Sequence, residues 1–310
     1  MKVLVPSSVR LDLPGHEVVV FDAAEPIPQE HRDAEVLVDW VVPAERLAEA
    51  AEQLPGLRLV QTLSAGPDAI AGAGFAPDVV LASGRSLHDV TVAEHALALL
   101  LALVRDLPRM AAAQADGRWD DAFRADQAHP DTAAWHTLDG AHVAVWGFGS
   151  IAQRLAPMLE ALGARVTGIA RSTGERHGYP VVSAELLPEL LPRVDVLLSI
   201  LPATAATDGV VDAGVLGALP AHALFVNVGR GAVVDEDALR AALEQGTLRA
   251  AAIDVTRVEP LPAGDPLWTT PNLVITPHVA GGRPRGASAL VLANLEALAA
   301  GEPVRNRVER

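Results

Sequence analysis

Three residues with reactive side chains occupy comparable places in the second half of the chain. Arg230, Glu259 and His278 each follow a short apolar run: Leu224 to Val228, Ala251 to Val255 and Leu273 to Thr276. Such runs, bounded by turn residues, read as buried strands. Taken singly, the arginine reads as a surface ion pair, the glutamate as a turn residue and the histidine as a loop histidine. Placed together beyond the carboxyl ends of strands in one sheet, they form a set able to do chemistry. A guanidinium fork grips a carboxylate, an imidazole carries a proton near neutral pH, and a glutamate orients the imidazole.

The elements that must position them centre on Ala141 to Arg171. His142-Val143-Ala144-Val145-Trp146 is a strand, Gly147-Phe148-Gly149-Ser150-Ile151-Ala152 a turn, and a helix follows to Leu162. A second strand, Arg165 to Ile169, leads into Ala170-Arg171-Ser172. This is a βαβ unit with a G-x-G-x-x-A turn, the arrangement that binds a dinucleotide. Gly147 permits the tight turn, and Gly149 lets backbone N–H groups approach a pyrophosphate at the helix N-terminus. Pro157 lies inside the helix and predicts a kink there. An acidic residue after the second strand would bind an unmodified ribose. Ala170 stands there instead, and Arg171 with Ser172 suits a 2′-phosphate, so the sequence favours NADP(H), with NAD(H) possible. A strand over Val194 to Ile200 precedes Leu201-Pro202-Ala203-Thr204, where an adenine or ribose could rest.

The first ninety residues alternate strands (Val3–Val5, Val18–Val20, Val36–Val38, Leu59–Gln61, Val79–Leu81) with helical or turn segments, among them a helix over Ala44–Leu54. That pattern predicts a parallel α/β domain. The loop Leu63-Ser64-Ala65-Gly66-Pro67-Asp68 follows a strand, as does Trp40, which reads mainly as packing. Thr91 and Glu94 suggest a capping box for a long apolar helix reaching about Arg105, part of which could meet a second subunit. His88 and His95 read as hydrogen-bonded structural residues. Residues 106–136 read as polar and irregular, either an arm around a partner subunit or a surface loop, and Gly286 to Ala300 as an amphipathic helix returning to the first domain.

Composition narrows the class. The formal net charge is −15, with no basic stripe, so nucleic acid and anionic membrane are not expected partners. The chain has no cysteine, which rules out a disulfide framework and a thiolate metal site. No apolar run is long enough for a signal peptide or a membrane span, and a cytoplasmic protein is expected.

The ordered set of motifs resembles the D-isomer-specific 2-hydroxyacid dehydrogenase family over nearly the whole chain. It comprises Ser64-Ala65-Gly66-Pro67-Asp68, Val92-Ala93-Glu94, Gly147-Phe148-Gly149-Ser150-Ile151, and Leu201-Pro202-Ala203-Thr204 with Thr207. It continues through Asn227-Val228-Gly229-Arg230-Gly231-Ala232-Val233-Val234-Asp235, Asp254-Val255 with Glu259-Pro260, and Thr276-Pro277-His278. The resemblance implies an α/β protein in which a Rossmann nucleotide-binding domain (91–282) is inserted into a flavodoxin-like substrate domain (1–90 and 283–310). It also implies a homodimer, and Arg230, Glu259 and His278 as the catalytic trio.

On this footing the cofactor-contacting residues are Gly147, Gly149, Ser150, Ile151, Arg171, Ser172, Leu201, Pro202, Thr207, Val228, Gly229, Asp254, His278 and Gly281. Asp254 is expected to orient the nicotinamide carboxamide. Ser64, Ala65, Gly66, Arg230 and His278 are expected at a small 2-oxo or 2-hydroxy acid, with Glu259 favouring the charged imidazole. Ala152 in place of the third glycine and the missing acid at Ala170 look like the NADP-preferring glyoxylate/hydroxypyruvate reductase branch. Two alternatives remain: the same scaffold acting on phosphite or a phosphorylated hydroxy acid, and a nucleotide-sensing corepressor-like binding protein. The intact trio argues against the second.

Overall fold

The computed structural model describes residues 1–309. The chain forms two compact units, Met1–His88 joined by the chain from Arg283, and Asp89–Gly282. In the first, β1 (Lys2–Pro6), β2 (Glu17–Phe21), β3 (Val36–Asp39), β4 (Leu59–Thr62) and β5 (Val80–Ala82) form a five-stranded parallel sheet of order β2-β1-β3-β4-β5. Alternate residues serve opposite faces. Val3, Val5, Val36, Val38 and Leu59 pack on the C-terminal helix Ala287–Ala300 through Ala287, Val291 and Leu295. Leu4, Leu37 and Val60 pack with Leu47 and Ala50 of α1 (Ala44–Gln53) and Ile70 of α2 (Asp68–Gly72). Coverage of both faces explains why β1 and β3 read as unbroken apolar runs. The C-terminal helix is less amphipathic than expected, since Leu290, Leu292 and Leu298 are also partly buried. Its one fully buried polar residue, Asn294, is satisfied by Gln61 and by the backbone of Arg305.

The second unit opens with α3 (Asp89–Val104), α4 (Leu107–Ala115) and α5 (Asp121–Ala128). Then come β6 (His142–Trp146), α6 (Ser150–Ala161), β7 (Arg165–Ala170), β8 (Gly174–Arg176) and β9 (Tyr179–Ser183). The remainder is α7 (Leu187–Leu190), β10 (Val196–Ser199), α8 (Ala213–Gly217), β11 (Leu224–Asn227), α9 (Glu236–Glu244), β12 (Ala250–Ile253) and β13 (Leu273–Ile275). The eight strands order as β13-β12-β11-β10-β6-β7-β9-β8, parallel except for the β8–β9 pair. From β6 the chain winds outward through β7 and then returns to β10 on the other side, so the β6–β10 boundary is the switch point at which such sheets bind ligands. Helices α3 and α6 cover one face of the sheet, and α8 and α9 the other. Helix α6 continues through Pro157. Among the described residues no helix is long and apolar enough to cross a membrane.

Two expectations need correction, and one element was not expected at all. Thr91 does not cap α3, which already begins at Asp89; its hydroxyl donates instead to the carbonyl of Gly281 at 2.6 Å, and Glu94 is exposed. Residues 106–136 are not irregular, because they contain α4, α5 and a 3-10 turn. The segment after Ser172 is a β-hairpin, closed by His177 and Gly178 with φ of 54° and 83°.

The α4–α5 pair owes its order to one carboxylate. Asp120 caps α5 by accepting from the Phe123 N–H and takes a two-pronged bond from Arg109 at 2.8 and 3.0 Å, with Arg118 at 3.1 Å. The Arg109 bonds, then the Phe123 N–H, hold the Asp120 carboxyl far below the ordinary range. A carboxyl lowered in the fold adds stability above its unfolded pKa and loses it as pH falls towards the folded value. Asp120→Asn keeps a capping oxygen but not the charge. Thermal melts should show the variant less stable at pH 7, with the gap to wild type shrinking as pH falls below about 4. A gap that ignores pH would contradict this account.

Candidate active site

The glycine turn after β6 is built for close approach. Gly147 has φ 98°, and a Cβ there would lie 2.8 Å from the carbonyl oxygen of Ile200 after β10. Only glycine serves, because both the backbone angle and the space exclude a side chain. Gly229, after β11, would place a Cβ 2.5 Å from the carbonyl oxygen of Leu201. These two contacts knit the loops after β6, β10 and β11 into one edge. At Gly149 a Cβ would meet nothing within 4 Å, so the space before α6 is open. No side chain caps α6, and its first N–H groups face that space. Phe148 is core, 2% exposed with its ring tilted against Tyr179 at 5.9 Å, while Ala152 is fully buried. Ser150 donates to Asp89, tying the start of α6 to the start of α3, and Ile151 is partly buried. Open space, uncapped N–H groups and the exposed Arg171 and Ser172 beyond β7 fit a dinucleotide phosphate chain.

In the β10 loop Leu201 is buried and Pro202 exposed. The Thr207 hydroxyl closes this loop by donating to the Pro202 carbonyl at 2.7 Å and accepting from the Thr204 N–H. The loops after the neighbouring strands β11, β12 and β13 carry Arg230, Glu259 and His278. Val228 is buried at the end of the first. Asn227 steadies that loop, donating to the Arg230 carbonyl at 3.0 Å and accepting from the Gly229 N–H at 3.1 Å. The Arg230 guanidinium reaches the Gly229 carbonyl at 2.8 Å. Glu259 accepts from the Thr256 N–H with one oxygen and meets His278 Nδ1 at 2.7 Å with the other. Side chains of His278 and Glu259 are 47% and 38% exposed, which leaves Nε2 accessible for a reacting group.

His278 sits at φ 52°, an angle uncommon for a residue with a side chain. Its N–H donates to the carbonyls of Asp254 and Thr276 at 2.7 and 3.0 Å. The Asp254 carboxylate, 1% exposed, accepts from the Thr276 hydroxyl and from the N–H groups of Val279 and Ala280. His95 approaches the same carboxylate at 3.3 Å and Thr276 Oγ1 at 3.1 Å. Thr91 and His95, four residues apart on one face of α3, thus hold Gly281 and Thr276 at the two ends of the His278 loop. Sequence reasoning missed this clamp: Thr91 mimicked a cap, and its real partner lies 190 residues away.

Ser64, Ala65 and Gly66 belong to the first unit. The Ser64 N–H donates to Thr62 Oγ1 at 3.1 Å, and the Ser64 carbonyl accepts from Gly84. The Ala65 and Gly66 N–H groups have no hydrogen-bond partner among the described residues. His88 bonds the Leu63 carbonyl at 2.8 Å, and its ring stacks on Trp40 at 5.4 Å. Below them, burial pushes the Asp39 carboxyl up, partly offset by Thr62.

A doubly wound sheet with a glycine turn at its switch point and a carboxylate–imidazole pair on the same edge defines a dinucleotide-dependent oxidoreductase. Residues 97–280 match the family model for the D-isomer specific 2-hydroxyacid dehydrogenase NAD binding domain. The chain is 35% identical over 202 residues to glyoxylate/hydroxypyruvate reductase A of Salmonella newport, covering 62% of this chain and 64% of that protein. It is similar to the crystal structure of a D-isomer specific 2-hydroxyacid dehydrogenase from Xanthobacter autotrophicus Py2 in complex with NADPH and MES. Identity there is 32%, the TM-score is 0.79, and coverage is 100% of this chain and 98% of that one. An NADPH-dependent glyoxylate/hydroxypyruvate reductase from Sinorhizobium meliloti, in complex with NADP and sulfate, is 26% identical with TM-score 0.80, covering 99% and 98%. The chain belongs to the D-isomer specific 2-hydroxyacid dehydrogenase family, whose members are NAD(P)-dependent oxidoreductases.

Proposed function

We propose that the chain is an NADPH-dependent reductase that converts a small, unphosphorylated 2-oxo acid reversibly to the D-2-hydroxy acid. The observation that carries this reading is the 2.7 Å bond between His278 Nδ1 and Glu259, on the sheet edge that also bears the glycine turn. NADPH, when bound, supplies the hydride. The remaining steps belong to the protein. His278, protonated, gives the proton on Nε2 to the substrate's carbonyl oxygen; in the reverse direction Nε2 takes the hydroxyl proton. Glu259, bonded to Nδ1, orients the ring. Arg230 holds the substrate carboxylate with its planar fork. In the first unit, the substrate domain of this proposal, Ser64 and the Ala65 and Gly66 N–H groups are the expected substrate contacts. Asp254, held within its own loop, sets the position of His278.

No basic cluster accompanies Arg230 in its loop, which supports an unphosphorylated acid, and Trp40 beside the Ser64 loop favours a larger apolar side chain. The proposal includes a cytoplasmic homodimer; Leu107 and Trp119, 54% and 78% exposed around α4, offer apolar surface for a second copy. A panel of 2-oxo acids assayed with NADPH and NADH tests the substrate and the cofactor together. Strong preference for a phosphorylated acid would sink the substrate assignment. Arg171→Ala should weaken NADPH roughly tenfold to a hundredfold, the value of one charge-assisted bond, and spare NADH. Equal losses for both cofactors would remove the NADP(H) assignment.

A further inference from the structure

Arg176 lies four residues beyond the segment expected to meet the 2′-phosphate, yet the β8–β9 hairpin folds it back there. Strand β9 runs parallel to β7, with Ser183 opposite Ala170, and β8 runs antiparallel to β9, with Arg176 opposite Tyr179. The left-handed pair His177-Gly178 closes the turn, as two-residue hairpins require. Thr173 Oγ1 accepts from the Ser183 N–H at 3.0 Å and fixes the residue after Ser172. Arg176 Nη2 then donates to Ser172 Oγ at 3.2 Å.

That bond leaves the Ser172 hydroxyl with its own proton to donate. It also leaves most of the Arg176 guanidinium unused, because among the described residues the Ser172 oxygen is its one hydrogen-bond partner and no carboxylate pairs with it or with Arg171. In a chain with 39 acidic and 24 basic residues, a guanidinium bonded to the exposed Ser172 hydroxyl and a second arginine next to it in sequence, neither facing a carboxylate among the described residues, are not explained by ion pairing. Glu175, the adjacent acid, occupies the alternate position of β8 and so points to the opposite face. The set offers planar donors and a hydroxyl, the donor chemistry that suits a phosphate monoester dianion.

We propose that Arg176 is a second guanidinium ligand of the cofactor's 2′-phosphate, delivered by the hairpin to the side of Ser172. This rests on the NADP(H) reading above. The alternative is that Arg176 only guards the exposed edge of β8 against strand pairing.

Calorimetric binding of NADP⁺ and NAD⁺ without substrate separates the two. For Arg176→Ala the affinity for NADP⁺ should fall about tenfold to a hundredfold, while that for NAD⁺ stays within about twofold. Arg176→Gln, which preserves the length of the side chain and a donor to Ser172, should show most of the same loss. Unchanged NAD⁺ affinity in both variants shows that the hairpin and sheet remain folded. If wild type prefers NADP⁺ and both variants keep that preference, the inference is overturned and the cofactor reading stands. If both variants lose NADP⁺ and NAD⁺ equally, Arg176 is structural and the inference is again overturned. A wild-type protein that binds NAD⁺ as tightly as NADP⁺ removes the cofactor reading itself, and this inference with it.

Discussion

Alanine in place of His278 is expected to lower 2-oxo acid reduction and hydroxy acid oxidation together, by about a hundredfold to ten-thousandfold, the range for losing a positioned general acid–base. NADPH affinity should stay within about twofold, since the imidazole does not hold the loop. That task falls to the backbone N–H of residue 278 with the Asp254 and Thr276 carbonyls, and to the Asp254 carboxylate with Val279 and Ala280. Stopped turnover with intact binding separates a chemical role from a structural one. Glu259→Gln refines the test. The amide keeps an acceptor for the Thr256 N–H but removes the negative charge 2.7 Å from Nδ1. An amide that cannot hold the imidazole as the carboxylate does should lower turnover in both directions while NADPH affinity stays within about twofold. If turnover in Glu259→Gln matches wild type, Glu259 does not position His278.

The residues that carry this chemistry were legible because parallel strands advertise themselves. Each of β6, β10, β11 and β12 is buried on both faces and writes an apolar run, so the polar residue just past its end stands out. The strand ends brought Arg230, Glu259 and His278 to one edge and the family resemblance paired the last two, which the structure holds at 2.7 Å. The hairpin that returns Arg176 was not legible. Gly174-Glu175-Arg176 is an exposed three-residue edge strand, and Pro180 interrupts its partner's apolar pattern. Helices α4 and α5 were hidden for a similar reason, since each buries a single residue, Ala113 and Phe123. Their order comes from Asp120 and its arginines, a tertiary contact with no periodicity to read. The misplaced start of α3 has the same origin: Thr91 has the local signature of a cap, but its hydroxyl is claimed by Gly281.

Replacing Arg230 should cost almost as much as replacing His278, but in a different kinetic constant. A carboxylate gripped by a planar fork loses two charge-assisted bonds in Arg230→Ala, each worth roughly 1.5–3 kcal/mol. kcat/KM for the 2-oxo acid should fall by about a hundredfold to ten-thousandfold, with much of the change in KM. Arg230→Lys keeps the charge but not the fork, so it should recover only part of the loss. The loop itself should survive. Asn227 donates to the Arg230 carbonyl and accepts from the Gly229 N–H, and neither bond involves the guanidinium that the substitution removes. NADPH affinity is then the control, expected within about twofold of wild type. Full recovery by lysine would mean that a point charge suffices there. A KM that does not change in Arg230→Ala would place the carboxylate on groups other than this guanidinium.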